Sequence, residues 1–221
     1  MVTINVKMAN TNNFGGFRNI SDIKYIVIHY TANDGDTAEG NGNYFANNVV
    51  SASAHYFVDD DSIVQSVPDN RIAWSVGGNK YPNTKGAVYY GKCTNNNSIS
   101  VELCDTKKNG VYDFTEATLK NAADLVRLLM KKYNVPADRV IRHYDVNGKI
   151  CPKPFVENEK AWNDFKERLT DEMVKRYNTI NEVPTWAKAT IQKLVNEGKI
   201  ADGNKLDMSE DMLRVLVIMN R

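Results

Sequence analysis

The stretch Lys24-Tyr25-Ile26-Val27-Ile28-His29 decides how the rest of this 221-residue chain is read. Its apolar residues run almost without interruption, the pattern of a central strand covered on both faces. A histidine closes the run, and the segment behind it, Thr31 to Gly42, is rich in Asn, Asp and Gly and reads as a loop. The chain has only two other histidines, and each also borders an apolar run. His55 opens His55-Tyr56-Phe57-Val58, and His143 follows Val140-Ile141-Arg142. Shortly after His143 comes Cys151, within Lys149-Ile150-Cys151-Pro152.

Imidazoles delivered by rigid strands, with a thiol close behind, are the donors of a catalytic zinc site, which uses three protein ligands and leaves a fourth position open. His29, His143 and Cys151 are the candidate ligands. Two neutral imidazoles and one thiolate leave Zn2+ with residual positive charge, enough to lower the pKa of water toward ~7. His55 stays ambiguous: it replaces one ligand, orients a ligand or the substrate from behind, or serves only the structure. Glu102 sits inside Ser100-Val101-Glu102-Leu103-Cys104, where a carboxylate is costly unless it is paired or aimed into a cleft. It is therefore the candidate proton carrier. Lys149 stands two residues before Cys151, on the same side of an extended segment. That places its ammonium where charge builds on a tetrahedral oxygen.

Around these residues, 54–58 and 62–67 read as a hairpin across Asp59-Asp60-Asp61. Residues 73–97 form a long loop, and 98–103 form another strand. A helix capped by Thr115 carries the stripe Leu119, Ala122, Ala123, Val126, Leu129 and Met130 until Pro136 stops it. Residues 140–143 are a further strand. A short helix over 43–50 and a long one from Glu157 to roughly Tyr177 complete an α/β or α+β domain with a central sheet. Composition changes at Asn178 to Pro184. Beyond it, Ala187, Ile191 and Leu194 share one helical face, Gly198 supplies a stop, and Asp207 to Arg221 gives a second amphipathic helix. This tail is small for independent stability, which points to docking on another copy of itself or on a cell-surface target.

Composition narrows the function classes. A net charge of +1 lacks the basic footprint of a nucleic-acid binder. The N-terminus has no long apolar core, and no stretch approaches a membrane span. The expectation is a cytoplasmic protein, or one that leaves the cell by a route other than its own signal. Three cysteines, Cys93, Cys104 and Cys151, are too few and too odd for a disulfide framework. Cys104 reads as a buried small hydrophobe.

Taken together, Ile26-Val27-Ile28-His29-Tyr30-Thr31-Ala32, Ser53-Ala54-His55-Tyr56, Ile99-Ser100-Val101-Glu102 and His143-Tyr144-Asp145 with Lys149-Ile150-Cys151-Pro152 resemble the zinc-dependent N-acetylmuramoyl-L-alanine amidases. Within that family they resemble the branch shared by phage endolysins and peptidoglycan recognition proteins. The resemblance runs from about residue 20 to 170. It implies an α/β fold with a mixed central sheet flanked by helices. It also implies zinc-assisted hydrolysis of the amide between the muramic acid lactyl group and L-alanine in peptidoglycan. In that pattern the ligands fall on His29, His143 and Cys151, the acid/base on Glu102 and the oxyanion-stabilising lysine on Lys149. Some members place a tyrosine before the histidine matching His55; here Ala54 stands there, so Glu102 carries proton transfer without it.

With the compositional change at Asn178, the expected division is a catalytic domain, 1–177, and a helical module, 178–221. The tail resembles part of an S-layer-homology-type module, which implies wall contact or homodimerisation. An endolysin needs no signal peptide, since it waits in the cytoplasm until released to the wall. Two other readings stand beside this one: a non-catalytic peptidoglycan-binding protein, and a thiol hydrolase with Cys151 as nucleophile and His143 as base.

Overall fold

A computed structural model describes residues 3–170 and 176–220. The chain divides into two compact units, Met1–Thr170 and Asp171–Arg221. In chain order the first contains β1 (Ile4–Val6), β2 (Phe14–Phe17), β3 (Tyr25–Tyr30), α1 (Ala38–Asn47), β4 (Tyr56–Val58), β5 (Ile63–Gln65) and β6 (Arg71–Ala73). There follow β7 (Ser98–Leu103), β8 (Thr106–Lys108), β9 (Val111–Asp113), α2 (Glu116–Tyr133), β10 (Val140–Arg142), α3 (His143–Asn147), α4 (Lys153–Glu157) and α5 (Glu159–Thr170). The second unit holds β11 (Arg176–Tyr177), α6 (Thr185–Asn196), β12 (Met208–Ser209) and α7 (Glu210–Met219).

Six strands build the main sheet in the order β1-β5-β4-β7-β3-β10. The four from β4 to β10 are parallel, while β5 runs antiparallel to β4, so the sheet is mixed. Alternation of side chains across β3 explains its apolar run. Ile26 and Ile28 face α2 and α5, in a core with Val101, Leu103, Leu125, Val126, Phe155 and Phe165. Val27 faces the other way, with Ile141 and Val146. His29 and Glu102 sit opposite each other in register, at the carboxyl ends of β3 and β7. Parallel α/β sheets place their ligand crevices outside the carboxyl ends of the strands.

α2 forms where its caps and stripe demand. The Thr115 hydroxyl accepts the Thr118 N–H at 3.0 Å, and Asn134 closes the helix with φ of 51° ahead of Pro136. Three expected elements change. The helix expected over 43–50 begins at Ala38, because the Thr37 side chain caps it by accepting the Gly40 N–H. His143 is not a strand residue; it opens α3, whose first turn is held by Asp145 accepting the Arg142 N–H at 2.8 Å. The long helix expected from Glu157 to about Tyr177 starts at Glu159 as α5, after a separate short helix α4 that ends at Glu157. α5 ends at Thr170, its expected continuation over 171–175 lies outside the described residues, and Arg176 and Tyr177 form β11 instead. Arg221, the expected end of the last helix, also lies outside them.

The division between units falls before the compositional change at Asn178, because Tyr177 and Arg176 pair with Met208 and Ser209. The second unit has its own small core of Tyr177, Val183, Ala187, Ile191, Leu194, Leu206, Met208 and Leu213. No helix among the described residues is long and apolar enough to cross a membrane.

Candidate metal and catalytic site

β3 carries His29 to its carboxyl end, and β10, paired with β3 through Arg142 and Ile28, delivers His143 beside it at the start of α3. The two imidazole rings lie 4.7 Å apart, centroid to centroid. Cys151 returns to the same point. Gly148 ends α3 with φ of 88°, and a Cβ there would meet Thr84 at 2.5 Å, so glycine is required for the reversal. The Tyr144 N–H then donates to the Cys151 carbonyl at 2.8 Å and fixes the thiol. His29, His143 and Cys151 each offer a donor atom, and these atoms lie within 4.8 Å of one another. His29 Nδ1 is 3.8 Å from Cys151 Sγ.

The residues suit a thiophilic divalent ion on their own terms. All three are at most 4% exposed. His29 Nε2 and both nitrogens of His143 are buried with no hydrogen-bond partner. Such groups are expensive to leave unsatisfied, and a cation supplies what no neighbour does. Burial first, then the neighbouring His143 and Lys149, holds His29 well below the usual imidazole range. Burial and Lys149 bring His143 down to about 4. Both rings are therefore neutral and able to ligate at pH 7. Burial pushes the Cys151 thiol up, so metal binding would release its proton.

Glu102 faces this cluster, with Oε1 3.8 Å from His29 Nδ1 and Oε2 buried without a partner. Burial pushes its carboxyl up to about 8, against the opposing pull of Lys149. Lys149 itself is exposed and lines a cavity of about 470 Å3 together with His143, Asn147 and the loop from Ser75 to Pro82. Its backbone N–H donates to Asn147 Oδ1 at 3.1 Å. The loop is strapped onto α3: the N–H groups of Tyr81, Ala87 and Tyr89 donate to the carbonyls of Asn147, Tyr144 and Asp145.

His55 is placed elsewhere. It is fully buried; its Nδ1 accepts the Ser100 N–H at 3.0 Å, and its Nε2 faces the Arg71 carbonyl at 3.2 Å. The Arg18 guanidinium lies 2.8 Å from that nitrogen. Burial, then Arg18, lowers its pKa to about 3. With both ring nitrogens occupied, it braces the strand that carries Glu102, and the metal-ligand option for it falls. Ala54 packs in the core with Ala38 and Phe57. Sequence reasoning missed Asn147 and the aspartates Asp36 and Asp105 at the same edge of the sheet. The one available signal was Asp105 itself, a carboxylate directly after the apolar run Val101 to Cys104.

The family model described as N-acetylmuramoyl-L-alanine amidase matches residues 19–154. A "Probable N-acetylmuramoyl-L-alanine amidase" of Bacillus licheniformis is 32% identical over 75% of this chain and 46% of its own length. The N-acetylmuramoyl-L-alanine amidase CwlA of Bacillus subtilis (strain 168) is 36% identical over 77% of this chain and 56% of its own. The chain thus spans about half the length of the curated relatives it matches. Among solved structures, a mutant endolysin from Bacillus subtilis superposes with a TM-score of 0.60 at 30% identity, covering 76% of this chain and 99% of that one. The PlyG catalytic domain superposes with 0.62 at 31% identity, covering 77% and 94%.

Proposed function

The chain belongs to the N-acetylmuramoyl-L-alanine amidase family, and we propose that it cleaves the amide between the muramic acid lactyl group and L-alanine of peptidoglycan, with zinc held by His29, His143 and Cys151. The observation that carries this reading is the convergence of three buried donors, with His29 Nε2 and both His143 nitrogens lacking any hydrogen-bond partner. A zinc ion bound there supplies Lewis acidity, which activates water and polarises the scissile carbonyl.

The chain's own residues do the rest. Glu102 takes the proton of the attacking water at its carboxylate and passes it to the departing alanine nitrogen. Lys149, facing the cavity that also holds His143, stabilises the negative charge that builds on the carbonyl oxygen. The strap over α3 keeps His143 and the backbone of Lys149 in place while the substrate binds. Cys151 is 2% exposed with its thiol pushed up, which supports a ligand and not a free thiolate nucleophile.

The likeness to an endolysin supports a role in wall lysis. In the second unit, Met212, Val215 and Ile218 of α7 are exposed, which supports contact of that module with the wall or with another copy. The test is release of L-alanine N-termini from purified cell walls by the untreated, chelated and zinc-restored protein. New alanine termini that vanish on chelation and return with zinc are expected. Zinc-loaded protein that binds walls without releasing them overturns the enzymatic reading, and release indifferent to chelation moves the chemistry to Cys151.

A further inference from the structure

Two of the three candidate ligands, His143 and Cys151, come from one short stretch of chain, and a single buried side chain ties its two ends together. Arg142 ends β10, directly before His143, and is 8% exposed. On one edge of its guanidinium, Nε donates to Asp145 Oδ2 at 3.2 Å and Nη2 to Asp145 Oδ1 at 3.0 Å, a bidentate pair inside the first turn of α3. On the other edge, Nη1 donates to the Phe155 carbonyl at 3.0 Å, in α4, and to Glu159 Oε2 at 2.7 Å, at the start of α5. The rings of Tyr144 and Trp162 lie against the same group, with centroids at 5.5 and 5.3 Å.

The fold alone does not require a charge at this position. β10 is already paired with β3 through Val140, Ile141 and Arg142, and a well-packed apolar side chain would avoid the desolvation cost of a buried ion pair. What a guanidinium adds is direction, since its N–H donors form a rigid planar fork that holds partners at fixed angles. Asp145 also accepts the Arg142 backbone N–H at 2.8 Å, so the same carboxylate fixes the turn in which His143 begins. On the α4 side, the Phe155 N–H donates to the Pro152 carbonyl at 3.1 Å, one residue from Cys151. A continuous frame therefore runs from His143 through Asp145, Arg142 and Phe155 to Cys151. The bond from the Tyr144 N–H to the Cys151 carbonyl lies inside it.

We infer that Arg142 and Asp145 are positioning residues for the metal: their pairing sets the spacing of His143 and Cys151 before the ion binds, and so sets zinc affinity. This rests on the zinc reading above and not on the reaction assigned to it. Neither residue belongs to the ligand cluster or lines the cavity at His143 and Lys149, so each acts through the ligands it holds. Partners of this kind orient the ligands of a metal site, and their loss costs about 10–100-fold in metal affinity. Glu159 differs from Asp145 on the same guanidinium. Its side chain is 63% exposed, and solvent screens its pairing with Arg142.

The test is the zinc dissociation constant of the full chain, read by competition with a chelator and set beside urea unfolding of the metal-free form. Arg142→Lys keeps the charge and loses the fork; it and Asp145→Asn are expected to weaken zinc binding about 10–100-fold. Glu159→Gln should stay within about twofold of wild type. Lower metal-free stability with unchanged zinc affinity in Arg142→Lys and Asp145→Asn would mean a purely structural role and overturns the inference. Wild type supplies a second measurement should a variant fail to fold. In its metal-free form the Tyr144 amide should exchange with solvent at least about 100-fold more slowly than an unstructured amide, because the frame is closed without the ion. Exchange at the unstructured rate overturns the inference. Wild type that binds no zinc overturns both this inference and the zinc reading, whereas zinc-loaded protein that leaves walls uncut overturns only the amidase reading.

Discussion

Two places in this protein hold buried histidines, and they use them in opposite ways. At the carboxyl ends of β3 and β10, His29 and His143 bring three ring nitrogens into the interior with nothing to bond. Under β7, His55 is as deeply buried, but its ring is taken up by Ser100, Arg71 and Arg18. In sequence the three look alike, each a histidine at the border of an apolar run. The difference teaches where a fold reserves space for something it does not itself contain: an interior polar group left unsatisfied is held for a ligand, and a satisfied one is held for the fold.

The largest effect should come from breaking the unsatisfied set. Cys151→Ala is expected to lose stoichiometric zinc and with it more activity than the ~100-fold that outer-shell changes cost, measured by metal analysis beside alanine-terminus release. Zinc retained at full occupancy would separate Cys151 from the ligand set. Glu102→Gln should keep its zinc and fold but lose about 10²–10⁴-fold in kcat, since the proton has no carrier. A variant with near-normal kcat would move the acid/base role elsewhere.

The two regions should also differ in how they answer to pH. In the metal-free protein His143 titrates near 4 and His55 near 3 when folded, against ~6.5 when unfolded. The unfolded chain therefore binds more protons between those values. The stability that comes from keeping these rings neutral is complete above pH ~6.5 and lost as pH falls. Each group should cost about 2–3 kcal/mol between pH 7 and pH 4.5, read from urea unfolding of chelated protein. Zinc should steepen the acid limb, because ligation needs the His29 and His143 rings neutral and makes Cys151 give up its proton. It should leave the His55 share unchanged; an acid limb identical with and without zinc would refute the distinction between the two places. His55→Gln, which retains an acceptor for the Ser100 N–H, should keep full zinc and cost about 1–3 kcal/mol in stability at pH 7. Loss of zinc from that variant would return His55 to the metal site. Smallest of all, Cys93→Ala, in the core with Tyr25 and Val27, should leave metal content and activity as they are and cost about 1 kcal/mol.

Much of this was legible along the chain. The run into His29, the strand holding Glu102 and the capped stripe of α2 are local patterns, and burial on two faces imposes them whatever surrounds them. Short elements were not legible. β11 and β12 are two residues each and exist because they pair with each other across thirty intervening residues. α1 starts earlier than its apolar content suggests because Thr37 caps it, and the Asn and Gly residues that read as loop are carried inside it.

By itself the sequence determined which residues can do chemistry, because donor type and enclosure in apolar runs are written locally. It named His29, His143, Cys151, Glu102 and Lys149, and it left His55 open. Only the tertiary structure decided how they divide. Whether a buried imidazole is free to ligate depends on what stands against both of its nitrogens, and those neighbours, Arg18, Arg71 and Ser100 for His55, come from distant parts of the chain. The same holds for Asp36 and Asp105, ordinary acidic residues on paper. They meet at the Thr31 hydroxyl because strand order places one end of β7 beside the loop that follows β3.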